Sequence, residues 1–334
     1  MKSLKLTPVS LLLLASNEAF PEYRGDRTVN GGLFAANESE FDSNFYDQQL
    51  TNYLVGGWDQ DPIEEILGFF APAVETEDSV DYKEFLHADE FIADDDDSDI
   101  RALNADMGII PSDTLNNKNV KVPHKGFKII LDKKTRPEVV RRKLRSARRR
   151  LKRNEIRRTI ALVDAAATVS NLVWDGTSDP DADIRGLLTL SENSSGLRPT
   201  RVAYGSLAWD RRDKAVRAQD NAGANSSVNW TPERLAQYLM VTALSWGEVR
   251  YREAANALAN YLGDSVYMFN AAEGLTEEDP SNIKRFVTSQ EGGLDVAVYA
   301  DTSHPLLDVY YVAHHSIPVL TSPLGIRKAV TSDS

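Results

Sequence analysis

The stretch from Arg136 to Thr168, RPEVVRRKLRSARRRLKRNEIRRTIALVDAAAT, contains no glycine, and its one proline, Pro137, stands where a first helical turn tolerates it. A helix over the whole stretch is a rod of roughly 50 Å, against a mean helix of about 11–12 residues. Between Lys133 and Arg158 stand 14 Lys and Arg against Glu138 and Glu155, a net of +12, while the whole chain carries −12. The remainder therefore sums to −24. Arg141/Arg145, Arg145/Arg149, Arg149/Arg153 and Arg153/Arg157 are like-charge neighbours one turn apart, each costing a few tenths of a kcal/mol in an isolated helix. Any fold for this chain must give a long cationic rod anionic company.

The rod has two halves. Val140, Leu144, Ala147 and Leu151 form a narrow apolar stripe at i+4, i+3, i+4 spacing. From Ile156 onward the pattern is apolar nearly all round, and Ile160, Val163 and Ala167 are expected in the deepest packing. One end is anchored in a core and the other runs along a surface.

A chain of 334 residues is long enough for two or three core-bearing units. It has no cysteine, which removes disulfides, thiolate nucleophiles and Cys-ligated zinc. Its acidic balance argues against a dedicated nucleic-acid binder, although a local basic element still attracts phosphate. Lys2 and Lys5 precede an apolar run from Val9 to Ala15 that Pro8 borders, and no small-x-small cleavage site follows. This reads as an arm that docks on the fold or a neighbour rather than a signal peptide. No apolar stretch reaches the 18 residues of a membrane span, so no membrane partner is expected.

Residues 1–75 scatter aromatics, Phe20, Tyr23, Phe34, Phe41, Phe45, Tyr46 and Tyr53, without a helical or alternating period. Aromatics at that density rarely stay in water, so the arm lies against something. Pro62 at a first helical position, with Ile63, Ile66, Leu67 and Phe70 on one face, predicts a short helix. Residues 1–110 hold 6 basic against 24 acidic residues, and Asp94, Asp95, Asp96 and Asp97 form an unbroken run. The run lacks the spacing of a calcium loop and reads as a solvated or partner-facing loop. Val120, Val122, Phe127, Ile129 and Leu131 alternate as strands do, ending a long excursion that feeds the helix.

Beyond the helix, LVWDGTSDPDADI (172–184) is turn-rich. Helices are expected over Ile184–Leu190, Ser206–Arg211 and from Thr231, with Leu235, Tyr238, Leu239 and Val241 on the apolar side of the last. Strands are expected at Arg201–Tyr204, Glu248–Tyr251, Ser265–Asn270, Arg285–Thr288, Leu294–Ala300 and Leu306–His314, with a final one near Ile317–Leu320. The turn Asp301–Pro305 makes the strands beside it an antiparallel hairpin.

Catalytic and metal chemistry finds no foothold in these patterns. Tyr204-Gly205-Ser206-Leu207-Ala208 is not G-x-S-x-G. His314 and His315, at a strand's end, point to opposite faces and do not share a metal. The Gly56-Gly57 and Gly292-Gly293 pairs read as turns. No catalytic residue, cofactor or metal is expected.

Several phrases, taken in order, resemble the tailed-phage major capsid proteins of the Hong Kong 97-type fold family. NEIRRTIALVDAAATV (154–169) is similar to the end of that family's spine helix, and SDPDADIRGLLTLSENSSGLRPTRVAYGSLAWDRR (178–212) to the segment that follows it. LSWGEVRYREAANAL (244–258) and DSVYMFNA (264–271) are similar to a later strand, its loop and the next strand. The likeness covers roughly residues 60–325 and rests on order and spacing. RRDKAV (211–216) departs from the family's pattern after the tryptophan, and the first half of the spine is more basic than its pattern.

The resemblance implies an α+β fold: an N-terminal arm (1–74), an extended loop (75–126), a peripheral domain with the spine helix (127–180 and 294–315) and an axial domain (181–293 and 316–328). It implies a protein that assembles with itself into pentamers and hexamers of an icosahedral head shell around double-stranded DNA. Such a protein belongs to the virion capsid, is assembled in the host cytoplasm, and meets a portal and scaffold or decoration proteins. Some members form Lys–Asn cross-links, for which Lys118 and Asn119 supply residue types without showing a partner carboxylate. The charge pattern adds an expectation of its own. Asp94, Asp95, Asp96 and Asp97 of one subunit pair with Arg141, Arg142, Arg145, Arg148, Arg149, Arg150, Lys152 and Arg153 of the next. The alternative is a nucleic-acid-binding protein that uses the basic helix 136–158; its arginines ring the rod, which suits charge neutralisation more than base reading, for which Asn, Gln or Ser among the arginines on one face is usual.

Overall fold

The computed structural model describes residues 45–55, 62–83, 117–219, 229–254, 257–272, 274, 281–288 and 296–333. The acidic run Asp94–Asp97, the apolar N-terminal stretch and most of the polar loop after residue 220 lie outside these residues. In chain order, helix α1 (Gln48–Val55) starts where the Asp47 carboxylate accepts the Leu50 N–H at 2.9 Å. Helix α2 (Ile63–Phe70) follows, and its expected face of Ile63, Ile66, Leu67 and Phe70 is buried. Strands β1 (Ala73–Glu75), β2 (Ser79–Lys83), β3 (Asn117–Lys121) and β4 (His124–Asp132) lead to α3 (Pro137–Ala166). The two legs of the long excursion pair where it begins and ends, Ser79 opposite Lys121 through Lys83 opposite Asn117.

Helix α3 is the cationic rod, 30 residues long. Its Val140, Leu144, Ala147 and Leu151 stripe is buried as the spacing predicts, and of Ile160, Val163 and Ala167 the first two are buried while Ala167 is half-buried. It ends two residues early. Ala167 is extended, and β-branched Thr168 and Val169 open strand β5 (Thr168–Val173), recruited by a parallel partner rather than by the helix. Helix α4 (Pro180–Ser195) is longer than the expected Ile184–Leu190 because the polar residues ahead of it form its cap. Asp179 accepts from the N–H groups of Asp181 and Ala182, Pro180 sits at the first position, and Gly196 closes the helix at φ 70°.

Strand β6 (Arg201–Gly205), helix α5 (Ser206–Ala218) and helix α6 (Pro232–Leu239) follow, the last capped by Thr231. The remaining strands are β7 (Ala243–Gly247), β8 (Arg250–Ala254), β9 (Ala257–Asn260), β10 (Ser265–Phe269), β11 (Ile283–Val287), β12 (Val296–Asp301), β13 (Leu307–Leu320) and β14 (Arg327–Ser332). The expected strand Glu248–Tyr251 is split, because the Glu248 carboxylate turns the chain there. It accepts N–H groups of Val249 (3.1 Å), Leu262 (2.9 Å) and Gly263 (2.8 Å).

The strands expected at Leu306–His314 and near Ile317 are one strand of 14 residues, with His314–His315 in its interior rather than at an end. Pro318 does not break it. The N–H of Arg285, opposite Pro318, donates to Pro72 O on the far side, so this is a pair without mutual hydrogen bonds and the missing proline N–H faces away from β11.

Two sheets result. The first runs β1-β11-β13-β12, with β4 also paired to β13; the hairpin expected across Asp301–Pro305 is the antiparallel β12–β13 pair. The second runs β5-β14-β10-β6-β7. The first half of α3 packs with Leu54 of α1 on Val296, Val298 and Val312. Its second half packs with α2 on Tyr267, Phe269 and Ile283. A third core joins α4, α5 and α6 to the second sheet through Leu188, Tyr204, Leu235 and Met268. Thus α3 spans from the core of one sheet to that of the other.

Candidate functional site

The cationic half of α3 is sorted into two faces. Toward α1 and α2, the Arg141 and Arg145 guanidinium groups lie 4.9 and 4.5 Å from the centroid of the Tyr53 ring. Arg148 donates to Leu54 O at 3.0 Å and forms an ion pair with Glu64. Lys152, buried, stands 4.0 Å from the same Glu64 carboxylate. Arg149 and Arg153 are half-buried. On the other side Arg142 and Lys143 are exposed, and Arg150, also exposed, lies 5.1 Å over the Phe127 ring of β4.

Of the arm's aromatics Tyr46 and Tyr53 lie against the fold, while Phe20, Tyr23, Phe34 and Phe41 are outside the described residues. Tyr53 cushions two arginines, and Tyr46 bridges to Tyr299 at the edge of β12 with ring centroids 6.0 Å apart. Contacts of this kind stabilise by about 0.5–1 kcal/mol at exposed sites and leave the positive charge in place. The structure brings together the cationic half of the expected pairing; Asp94, Asp95, Asp96 and Asp97 are outside the described residues.

A second constellation was not anticipated from the sequence. Glu155, counted there only as one charge, is fully buried where α3 crosses β13. Its Oε2 accepts from His314 Nε2 at 2.6 Å, its Oε1 accepts from the Ser316 hydroxyl, and Arg285 Nη1 of β11 stands 3.7 Å away. Burial opposes the Glu155 charge. The hydrogen bond from His314 and the charges of His314, Arg285 and Lys152 outweigh it and hold the carboxyl below the usual carboxylate range. Lys125 of β4 joins the edge of the cluster, its Nζ 3.5 Å from Ser316 Oγ. Burial pulls its ammonium down to about 8, with Arg158, Arg285 and Lys152 adding to the effect and Glu155 opposing it.

Serine, histidine and a carboxylate lie side by side here, but they do not form a relay. Ser316 Oγ stands 2.7 Å from His314 Nε2, the same ring nitrogen that meets Glu155. Activating a hydroxyl needs the acid on the opposite ring nitrogen and access for a substrate. All three residues are fully buried. What the arrangement does chemically is neutralise a carboxylate under the helix. The one signal for it in the sequence was a lone glutamate in a run of arginines.

On the other face of β13, His315 meets His124 of β4. Nδ1 of His124 is 2.8 Å from Nε2 of His315, and the ring centroids are 3.8 Å apart. The two neighbouring histidines do point to opposite faces, as strand geometry requires. In the second sheet, Arg212 and Asp181 form a buried pair beneath Trp209, whose ring lies 5.0 Å from the guanidinium.

No protein-family model matches the chain, and no curated protein matches it in sequence. Structural similarity is extensive. A phage-related protein from Bordetella bronchiseptica superposes with a TM-score of 0.59 over 85% of this chain and 96% of that one, at 15% identity. The fold is the Hong Kong 97 type. A virus-like particle protein from Pyrococcus furiosus aligns more loosely, with a TM-score of 0.47, 11% identity, and 86% and 100% coverage. The capsid of phage XM1 gives a TM-score of 0.40 at 9% identity, over 91% of this chain and 100% of that one. In the terms of this fold, α3 is the spine helix, and it carries both the cationic face and the buried Glu155.

Proposed function

We propose that this chain is the shell subunit of a tailed-phage head. The observation that carries the reading is the Hong Kong 97-type fold, superposed over 85% of the chain on a phage-related protein. A spine bridging two sheets suits a subunit that tiles a shell, because each sheet offers a surface to a different neighbour. Copies associate as pentamers and hexamers, and these close into an icosahedral head around double-stranded DNA. Assembly takes place in the host cytoplasm, with a portal and scaffold or decoration proteins as further partners, and the finished subunit resides in the virion capsid. We assign it no catalytic activity.

The division that goes with this reading is an arm over 1–74, an extended loop over 75–126, a peripheral domain over 127–180 and 294–315, and an axial domain over 181–293 and 316–328. Strands β1 and β11 complete the first sheet, so the segments interleave there. Between subunits, the acidic run Asp94–Asp97 of one copy meets the outward cations Arg142, Lys143 and Arg150 of the next. Arg141, Arg145, Arg148 and Lys152 flank that patch, already in contact with their own chain.

Electron microscopy of the purified full chain tests the reading. Closed shells or free rings of five and six are expected. A protein that stays monomeric at high concentration and in the presence of DNA overturns it.

A further inference from the structure

Two histidines lie in contact at the edge of the buried charge cluster, and neither has a part in the proposed assembly. Strand β4 holds His124 and Lys125 opposite His315 and His314 of β13. Between His124 Nδ1 and His315 Nε2 there are 2.8 Å, a distance that requires one nitrogen to carry a proton and the other a lone pair. If both rings are charged, two N–H groups point at each other across that gap, with ring centroids 3.8 Å apart. His315 is 6% exposed, so a charge on its ring is poorly solvated, whereas His124 is exposed.

The surroundings make the added charge more costly. On the opposite face of the two strands stand His314, Ser316 and Lys125, with Arg285 of β11 and Lys152, Arg158 and Glu155 of α3 beyond them. Of these, His314 adds to the cost of a charge on His315. The Nε and Nη1 of Arg285 are buried and make no hydrogen bond.

We propose that the His124–His315 contact is an acid-sensitive latch, closed while the two rings share one proton between β4 and β13, and opened when both become charged. Opening parts β4 from β13 at the end of their ladder next to the spine, where Lys125, Ser316 and Glu155 meet.

The direction of the effect follows from where each group titrates. Burial, with His124 and His314 beside it, pulls His315 from the ordinary 6.5 down to about 3. A group depressed in this way stabilises the closed state fully above pH 6.5, and the contribution is lost as pH falls from there toward 3. Lys125, at about 8, is already charged below that value. Glu155 keeps its charge until below the usual carboxylate range. Between pH 7.5 and 5.5 His315 therefore sets the slope.

The inference holds for the subunit whether or not shells form, and its test does not depend on assembly. Hydrogen exchange is followed on the full chain at pH 7.5 and 5.5, corrected for the intrinsic rate. Peptides covering β4 and the 307–320 strand are expected to lose about tenfold in protection, since an opened His315 regains its ordinary affinity for a proton. Peptides from β6 and β10 serve as the internal control and are expected to change little. In His315→Asn, which cannot titrate, the loss is expected to fall below about threefold. Equal losses in both proteins, or no loss in the wild type, overturn the latch. If His315→Asn does not fold, the ring resonances of the wild type decide. A His315 signal that stays in its neutral position down to pH 5 supports the latch, and one that titrates near 6.5 overturns it.

Discussion

Arg212 and Asp181 meet as a two-pronged pair, Nε to Oδ1 at 2.7 Å and Nη2 to Oδ2 at 2.9 Å, with 1% and 4% of their surfaces exposed. The pair joins the first turn of α4 to the middle of α5. Removing one partner of such a pair leaves a buried charge alone, which costs about 3–5 kcal/mol, whereas replacing both by well-packed apolar residues is often close to neutral. Arg212→Met alone should therefore lower the urea midpoint strongly, and Arg212→Met with Asp181→Leu should recover much of it.

Glu155→Gln should be as severe, by about 3–5 kcal/mol, because Arg285 and Lys152 then lose their buried counter-charge. The dependence on pH identifies the cause. A carboxyl held below its ordinary value of 4.5 contributes fully above that pH, and its contribution is lost as pH falls further. Acid unfolding followed by circular dichroism should be less steep below pH 4.5 in the variant, while its stability at pH 7 is already low. Parallel curves would assign Glu155 a lesser part.

Gly205 precedes α5 where the backbone of the turn before β10 passes close by. A Cβ there would meet the Gly263 carbonyl oxygen at 2.3 Å and its carbon at 2.8 Å. The same oxygen accepts the N–H groups of Leu207 and Ala208, so it cannot move aside without uncapping the helix. Gly205→Ala should cost about 1–3 kcal/mol by overpacking. Gly186→Ala, where nothing lies within 4 Å, serves as the comparison and should be neutral or slightly stabilising. Thermal melts of the two variants separate close approach from the loss of a glycine as such.

On the outer face of the spine, charge reversal at Arg142 and Arg150 should change the subunit's stability by no more than about 1 kcal/mol, the Arg150 contact with Phe127 being lost, while preventing shells or rings from forming. Both residues are exposed, unlike Arg148, whose reversal would place a negative charge beside Glu64. Electron microscopy and thermal melts of the double variant are read together. Normal shells would remove the outward arginines from the assembly contact.

What the sequence determined about this protein is what depends on neighbours along the chain. The spacing of Val140, Leu144, Ala147 and Leu151 set the buried stripe of the spine, and Asp179-Pro180 with Gly196 held the signals that start and stop α4. The alternation of Phe127, Ile129 and Leu131 set the inward face of β4, because side-chain period and cap chemistry are local, whereas in β13 the core took Tyr310 and Val312 and not Val309. The excess charge of the spine was equally legible, but not its disposition. Tertiary structure decided that Tyr53 and Phe127 cushion three of the arginines and that Glu64 pairs with a fourth. It also decided that Glu155, alone among those arginines, is the buried one. Pro318 continues a strand, and Glu248 interrupts one, for reasons that lie in other elements: the direction of the Arg285 N–H and the position of the turn at Gly263. Hydrogen bonds and ion pairs between residues more than a hundred positions apart leave no periodic trace in a sequence, and here they fix where the spine's charge is spent.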